Sequence, residues 1–589
     1  DIAYGLNLSG NKVYFTLPTP GSANNEGVPG TRDNILVSVE RGFYSAAIQV
    51  VVNVDVPHDT IMYTTDGSEP TLTHGTSYTT PINISTTTPL RVAAFKGDLG
   101  FHHGVISHSY IYLTDVIRQP ASIPGYPIDD YEVGGANLPH DHEMDPVIVD
   151  SATYAPQMMT AMTSIPTMSI QVDPDDIYGE SGFYDSGVAN GFVDTEKIEK
   201  KASVEILYFD QIGDNHQANA GIEAHSKKRL KRSLRLNFRS IYGDAKFKSD
   251  LLSKGPLNGD SAAGSYDKLI IRAGNNRTWA RHHGGYASEK VTQTVDEFFR
   301  ATQVDASGYG SRGTFVHLYI NGIYWGLYNP VERPDSKFSA SYFGGDSDDW
   351  FAGNHKLIDE READPRPLSG DITRYNYLIN TLIYKDMTVD TNYAEFQEYL
   401  NPSYFIDYLL LSWWGGIQNW PYNNLYFGNR SVSSPLGPTP LYFTRWDSEF
   451  SFDQTFDFPN PGGRAKVHLD FTSNRSVTSD VNIVAKMWHS ARRNDEFMQL
   501  FTERVNLLTS SGGALNDTVA RARWATLNDF VSDAIVAESA RWGDALISLG
   551  KPRRTRDIDW QREVDNIDGL LEGNVGQLLN ELRDEGYYP

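Results

Sequence analysis

Asn419, Asn424, Asp447 and Glu449 are the residues whose types and spacing best suit a chemical task in this chain. Asn424 stands five residues after position 419, and Asp447 follows on a later strand-like stretch, Trp446-Asp447-Ser448-Glu449. Amide and carboxylate oxygens are hard donors, suited to a divalent cation that carries phosphate. Phosphoryl-transfer sites of this layout place a proton-accepting Asp first, an Asn five residues on, and a second Asp on the next hairpin, the last two holding the metal. Position 419 departs from that pattern. An amide does not accept a proton at neutral pH, so the motif that points to transfer lacks its base. The alternative for Asn424 and Asp447 is a buried polar pair that fixes the hairpin between them.

The densest positive run is Lys227, Lys228, Arg229, Lys231 and Arg232, in a chain of formal charge −24 with 51 basic and 75 acidic side chains. It would concentrate any anion binding, or else form a solvated strand edge, where Lys is favoured. The overall negative charge repels nucleic acid and anionic lipid, so neither is expected as a partner. The absence of cysteine excludes disulfides, thiolate metal sites and thiol catalysis. No apolar run reaches the ~18 residues of a membrane span. The start at Asp1-Ile2-Ala3-Tyr4 reads as a processed or truncated product.

At 589 residues, roughly three or four domains are expected. Tyr outnumbers Phe, 33 to 27, and Gly and Pro are plentiful, which favours strands and loops over a helical bundle. Residues 1–25 end in a short strand and a Pro/Gly turn. Residues 26–117 hold short β-branched runs and the Asp66-Gly67 turn of a small β-sandwich. Residues 118–160 are Pro-punctuated and read as a linker. Residues 161–365 form a strand-rich lobe read as an antiparallel sheet, with Ile320-Asn321-Gly322-Ile323 the strongest hairpin signal. Residues 366–589 turn to helical spacing, as in Phe405, Tyr408, Leu409 and Ser412, and form a helical lobe. Within it Leu527, Phe530, Val531, Ala534 and Ile535 form a stripe, and the segment Glu538–Asp544 is expected to turn Trp542 inward and pair its charges locally. The fold class is therefore multidomain α+β.

Several blocks carry a family resemblance: Ser164–Ser169, Lys231–Phe238, Ile271–Asn276, His317–Gly322, Gly326–Asp335, and the two segments around Asn424 and Asp447. Together they make residues 161–589 similar to the CotH family of spore-coat-type atypical protein kinases and their secreted relatives. Tyr63–Thr71 with Tyr78–Ile82 resembles the Ig-like module of chitobiase C-termini and fibronectin-associated repeats, and residues 1–25 resemble the last strand of a lamin-tail-like domain. The resemblance implies a kinase-like two-lobed α+β domain behind an Ig-like β-sandwich. It implies ATP with Mg²⁺ or Mn²⁺, transfer to Ser or Thr of extracellular or surface proteins, and a secreted or cell-surface location. By position, Lys231, Arg235 and Arg272 would bind the nucleotide. Asn424, Asp447 and Glu449 would hold the metal, with Asn419 and Asp447 at the catalytic positions. The relatives carry Asp where this chain has Asn419, and a Gly/Ser-bearing turn where it has Ala220–Lys228.

The alternative is a catalytically degenerate surface or matrix protein, attached to polysaccharide through its Ig-like module. Two further motifs have chemical readings. His140-Asp141-His142-Glu143-Met144-Asp145 is dense enough in imidazole and carboxylate for a metal site, or is a set of solvated and capping side chains. Asp346-Ser347-Asp348-Asp349 could hold Ca²⁺, or is a polar loop. His282 and His283 read as surface or cleft-lining histidines.

Overall fold

The computed structural model describes residues 3–589 except 11, 16–20, 25–26, 28–33, 97–100, 128–130, 134–135, 185–197, 211–214, 226–228, 244, 275–276, 283–288, 355–366, 418–419, 422–423, 453–463 and 468–482. Asn419, Lys227, Lys228 and His283 thus lie outside the described residues.

A short hairpin, Ala3–Leu6 with Lys12–Phe15, precedes the sandwich. The sandwich is built on a five-stranded sheet around Thr88–Lys96 and Phe101–Ile111, faced by the pairs Ile35–Val37 with Val52–Val54 and Ile48–Val50 with Ile82–Ile84. Alternating apolar residues meet inside: Val50, Val52, Ile82, Ile84, Leu90 and Val92 are all buried.

The next strands are β1 (Thr167–Val172), β2 (Lys200–Leu207), β3 (His216–Ala224), β4 (Leu234–Asn237), β5 (Lys268–Arg272), β6 (Val316–Ile320) and β7 (Ile323–Glu332). They close into a barrel of order β1-β2-β3-β4-β5-β7-β6. Six neighbouring pairs are antiparallel, and the parallel pair β1·β6 closes the ring. The expected antiparallel sheet closes on itself as a barrel, which leaves these strands no free edge. Its interior takes every second residue, among them Ile170, Val204, Ala220, Leu236, Ile271 and Leu318. The β6–β7 hairpin turns on Asn321 and Gly322, at φ 51° and 79°, as the Asn-Gly signal predicts.

The sandwich sits directly on the barrel. Glu205 of β2 is fully buried between the modules, paired with Arg41 at 2.8 Å and accepting from Ser109. Ser109 also meets Ser169 at 2.8 Å, and Gln171 donates to Ser109 at 3.0 Å. At Gly67 the backbone approaches so closely that a Cβ would lie 2.2 Å from the Asn321 amide oxygen.

The helical part is centred on α2 (Pro402–Trp414), started by Asn401, whose side chain accepts from the Tyr404 amide. Every residue from Phe405 to Trp414 is buried, so α2 is a core helix rather than an amphipathic one. Around it lie α3 (Asp495–Thr509), α4 (Asp517–Ser532), α5 (Ala534–Trp542) and α6 (Gln561–Leu571). The stripe Leu527–Ile535 is interrupted at Asp533, where one helix gives way to the next; Leu527, Val531, Ala534 and Ile535 are buried. The earlier α1 (Val295–Ser307) sends Phe298 and Phe299 into this core, although it precedes β6 in the chain. A three-stranded sheet joins β8 (Trp350–Asn354), from the strand-rich part of the sequence, to β9 (Leu425–Arg430) and β10 (Tyr442–Arg445) from the helical part.

The stretch 118–160, read as a linker, is packed from Met144 onward instead. Met144, Ile148, Val149, Met158 and Met162 form one core with Tyr319 and Tyr324 of the barrel and Val536, Ala537 and Ala540 of α5. All nine residues of α5 are buried as a result. Apolar side chains spaced irregularly in a Pro-rich stretch carry no period, so their common destination was hidden.

Candidate functional site

β5 ends at Arg272, on the outer face of the barrel. The chain then runs through Gly274, at φ 75°, and Gln293 into α1, whose first turn carries Asp296. On the other side, β9 and β10 pair with Leu425 opposite Arg445. This register brings Asn424, one residue before β9, and Asp447, two residues after β10, to the same end of the hairpin. That end faces Arg272. Its guanidinium donates to Asp447 at 2.6 Å and to Glu449 at 2.6 Å, and pairs with Asp296 at 3.1 Å. Its face stacks on Trp446, 5.1 Å from the ring centre.

Asp296 holds the assembly together. It accepts from the Ser448 amide at 2.7 Å and also pairs with Arg300, which reaches Glu297 at 2.5 Å and Asn329 at 2.6 Å. Burial alone would raise the Asp296 carboxyl, but Arg272 and Arg300 outweigh it and hold it below its ordinary value. Burial likewise opposes the charge on Arg272, yet Asp296, Asp447 and Glu449 raise it well above the usual guanidinium range. Gln293, Asn424 and Asp447 all have left-handed backbones, at φ 67°, 66° and 56°. Non-glycine residues there are uncommon, and such strain gathers at working sites. Asn424 is buried with its amide nitrogen unpartnered.

Beside this cluster is a narrow cleft lined by Arg272, Arg277, Lys290, Asp296, Tyr328 and Glu449. Of the three cations expected to bind a nucleotide, Arg272 lines it. Lys231 and Arg235 do not, and each is held elsewhere by an acid. Lys231 is fully buried, donating to Glu538 of α5 at 2.5 Å and to the Leu327 carbonyl at 2.7 Å, over the Tyr328 ring. Burial lowers its pKa against the pull of Glu538. Glu538 also accepts from the Leu327 amide at 2.8 Å and from Gln293 at 3.3 Å, so the pair lies just behind the cleft wall. Its charge is thus satisfied across the fold, not locally as expected for this segment. Gly326 is required there, since a Cβ would fall 2.7 Å from both Glu538 and Trp542. Trp542 does turn inward, donating to the Trp325 carbonyl at 2.7 Å. Arg235 pairs with Glu223 on the outer barrel face, and burial together with Arg333 lowers its pKa to about 10.

Sequence reasoning missed Asp296, Arg277, Lys290 and Glu538. An acid in a first helical turn reads as a complement to the helix dipole, which masks Asp296. The run Asp346–Asp349 forms a capped turn, the Asp349 carboxylate accepting from the Asp346 amide at 3.0 Å.

Residues 292–572 match the family model described as CotH kinase protein, and residues 39–101 match the Chitobiase/beta-hexosaminidase C-terminal domain. The chain carries a CotH domain. Asp296, Asn424, Asp447, Glu449 and Glu538 lie inside the CotH match, while Lys231, Arg235 and Arg272 on the barrel precede it. The second match places an Ig-like domain in the sandwich. No curated protein matches the chain. Among the described residues no helix is long and apolar enough to cross a membrane.

Proposed function

We propose that the CotH domain binds ATP with Mg²⁺ or Mn²⁺ in the cleft between barrel and helical core, the two acting as the lobes of a kinase-like unit. The observation that carries this reading is the convergence of Asp447 and Glu449 on Arg272, with Asn424 at the same end of the β9–β10 hairpin, beside a cleft that also presents Arg277 and Lys290. The donor set fits a hard cation: Asp447 and Glu449 offer carboxylate oxygens, and the unpartnered Asn424 amide can turn its oxygen toward them. Bound there, such an ion would offset the charge of the nucleotide phosphates. Arg272, Arg277 and Lys290 would orient the phosphates, and Lys231 with Glu538 would stiffen the wall behind them.

The reaction this suits is transfer of the terminal phosphoryl group of ATP to a Ser or Thr hydroxyl of an extracellular or surface protein. The bond to the ADP oxygen breaks, a new P–O bond forms, and the hydroxyl proton leaves to solvent. With an amide at position 419 no side chain there takes that proton, so the rate is low. A second reading, a non-catalytic surface or matrix protein, draws on Arg272, which already neutralises Asp447 and Glu449. The Ig-like domain would then serve polysaccharide attachment.

Labelled ATP with Mg²⁺ or Mn²⁺ and candidate surface proteins tests the first reading. Incorporation that disappears in Asp447→Ala, together with a nucleotide-dependent rise in Tm, is expected. Neither incorporation nor a Tm shift leaves the scaffold reading standing.

A further inference from the structure

The largest cavity among the described pockets, about 270 Å³, shares no lining residue with the charged cleft. It opens between residues 139–142, Tyr178 and Tyr184, Trp325 of β7 and the turn that follows α5. Much of its wall is aromatic, and the polar ends of two of these rings are already engaged. The Tyr184 hydroxyl donates to the Leu230 carbonyl at 2.7 Å, and the Trp542 indole donates to the Trp325 carbonyl at 2.7 Å. What they give the cavity is apolar ring surface. A cavity just under the roughly 300–1,000 Å³ of drug-sized ligand sites suits a smaller molecule.

Arg541, near the end of α5, stands out on this wall. It lines the cavity and is only 3% exposed. Its Nε donates to the Tyr324 carbonyl at 3.1 Å, and its guanidinium lies over Trp542, 4.1 Å from the ring centre. Among the described residues its two Nη atoms take no hydrogen bond and no ion pair, yet neither is sealed away from the cavity. The other arginine on the wall, Arg553, is engaged by Asp145. A guanidinium held at Nε and along one face keeps its Nη1–Nη2 edge free, and that edge grips a carboxylate through two parallel hydrogen bonds. A buried charge without a counter-ion is costly, so the edge calls for an anion.

A bare anion does not suit the rest of the cavity. Asp141 and Asp544 lie on its wall, and with Glu143 they bring carboxylate oxygens within 4.8 Å of one another. Burial first, then Asp145 and Asp141, pushes the Asp544 carboxyl up to about 7. A proton there relieves the crowding, and an ammonium group does the same by displacing it. We propose that this cavity binds a small amino acid, its carboxylate on the Nη edge of Arg541, its ammonium on Asp141 and Asp544, and its apolar body against Tyr178, Tyr184 and Trp325. One zwitterion then supplies an anion to the unpaired guanidinium and a cation to the crowded acids.

Calorimetric titration of the full chain with L-phenylalanine, L-leucine and ε-aminocaproate tests this, followed by the N-acetyl and amide derivatives of whichever binds most tightly. One molecule per chain is expected. Capping either charge weakens binding at least about tenfold, the strength of a hydrogen bond to a charged group, and Arg541→Met does the same. Ala545→Phe fills the cavity and abolishes binding, whereas Lys290→Met in the charged cleft leaves it unchanged. The derivative series uses the native chain, so it decides the matter even if Arg541→Met does not fold. No binding of any of the three up to millimolar concentration overturns the proposal, as does binding that survives Ala545→Phe or is lost in Lys290→Met. An amide that binds as well as its parent overturns the role of Arg541, and an N-acetyl derivative that does so overturns that of Asp141 and Asp544.

Discussion

Replacing Arg272 by Met removes one charge from the middle of three carboxylates while keeping most of the side-chain volume. Asp296 is 7% exposed at its side chain, Glu449 5% and Asp447 24%, with the Arg272 side chain at 8%. Asp296 retains Arg300, and Asp447 can hydrate, so Glu449 bears most of the loss. Breaking a buried pair by removing one partner costs about 3–5 kcal/mol. The same three carboxylates, freed of Arg272, become a stronger cation site. A divalent ion at a hundred times its Kd would return about 2.7 kcal/mol to the variant. Urea unfolding followed by tryptophan fluorescence, with and without millimolar Mn²⁺, measures both effects. The expected result is a large drop in midpoint for Arg272→Met, mostly recovered by the ion, while the native protein gains less because Arg272 competes. A variant as stable as the native chain, or one that Mn²⁺ does not rescue, would refute the electrostatic account of this cluster.

Asn419→Asp restores a proton acceptor and should raise phosphoryl transfer by about 10²–10⁴-fold in the labelled-ATP assay; an unchanged rate means position 419 is not the base site. Lys231→Met strands Glu538 and should cost about 3–5 kcal/mol, whereas Lys231→Met with Glu538→Leu recovers all but about 1–2 kcal/mol for the hydrogen bonds to Leu327 and Gln293; a double-mutant cycle on urea midpoints reads the difference. Stability should fall in two stages on acidification. Burial holds His108, His142 and His317 neutral down to about 3, and pushes Glu332 and Asp544 up to about 7. Each such histidine takes its proton only on unfolding below pH 6.5, while each raised carboxyl favours the folded state as pH drops from 7 toward its unfolded value. Between pH 6.5 and 4.5 these five groups leave one proton net, about 1.4 kcal/mol per pH unit; below about 4, once both carboxyls also protonate in the unfolded chain, the three histidines of this set act alone, at about 4 kcal/mol per unit. Denaturant melts at half-unit pH steps should show that steepening.

Much of the architecture was legible because local chemistry and final structure agree. Asn321-Gly322 can hardly be anything but a tight hairpin, and the spacing through Phe405, Tyr408 and Leu409 is that of a helix. The Asp66-Gly67 turn marked the sandwich. What stayed hidden was long-range. Barrel closure depends on β1 lying parallel to β6, with Thr167 opposite His317, and no local pattern announces such a pairing. The packing of the stretch from Met144 onward under α5 has the same character, as does the meeting of Lys231 with Glu538. At the site, the motif around Asn424 and Asp447 pointed to two residues that the register puts at one end of a single hairpin. It could not reveal that Arg272 sits between the acids, since a basic residue at a strand end carries no mark of its eventual partners. Lys231 and Arg235 stood out by charge, yet burial commits both to acids outside the cleft.

The buried seam between sandwich and barrel has a mechanical consequence. With Glu205, Arg41, Ser109 and Gln171 locked together and Gly67 pressed against Asn321, the first module is not a bead on a flexible string. Were the sandwich anchored to a solid surface, tension would pass as shear through that seam into β2 and the β6–β7 turn, bypassing any hinge. Drag or pulling would strain the same ring of strands that carries Arg272 at the end of β5, making the anchorage a lever on the cleft.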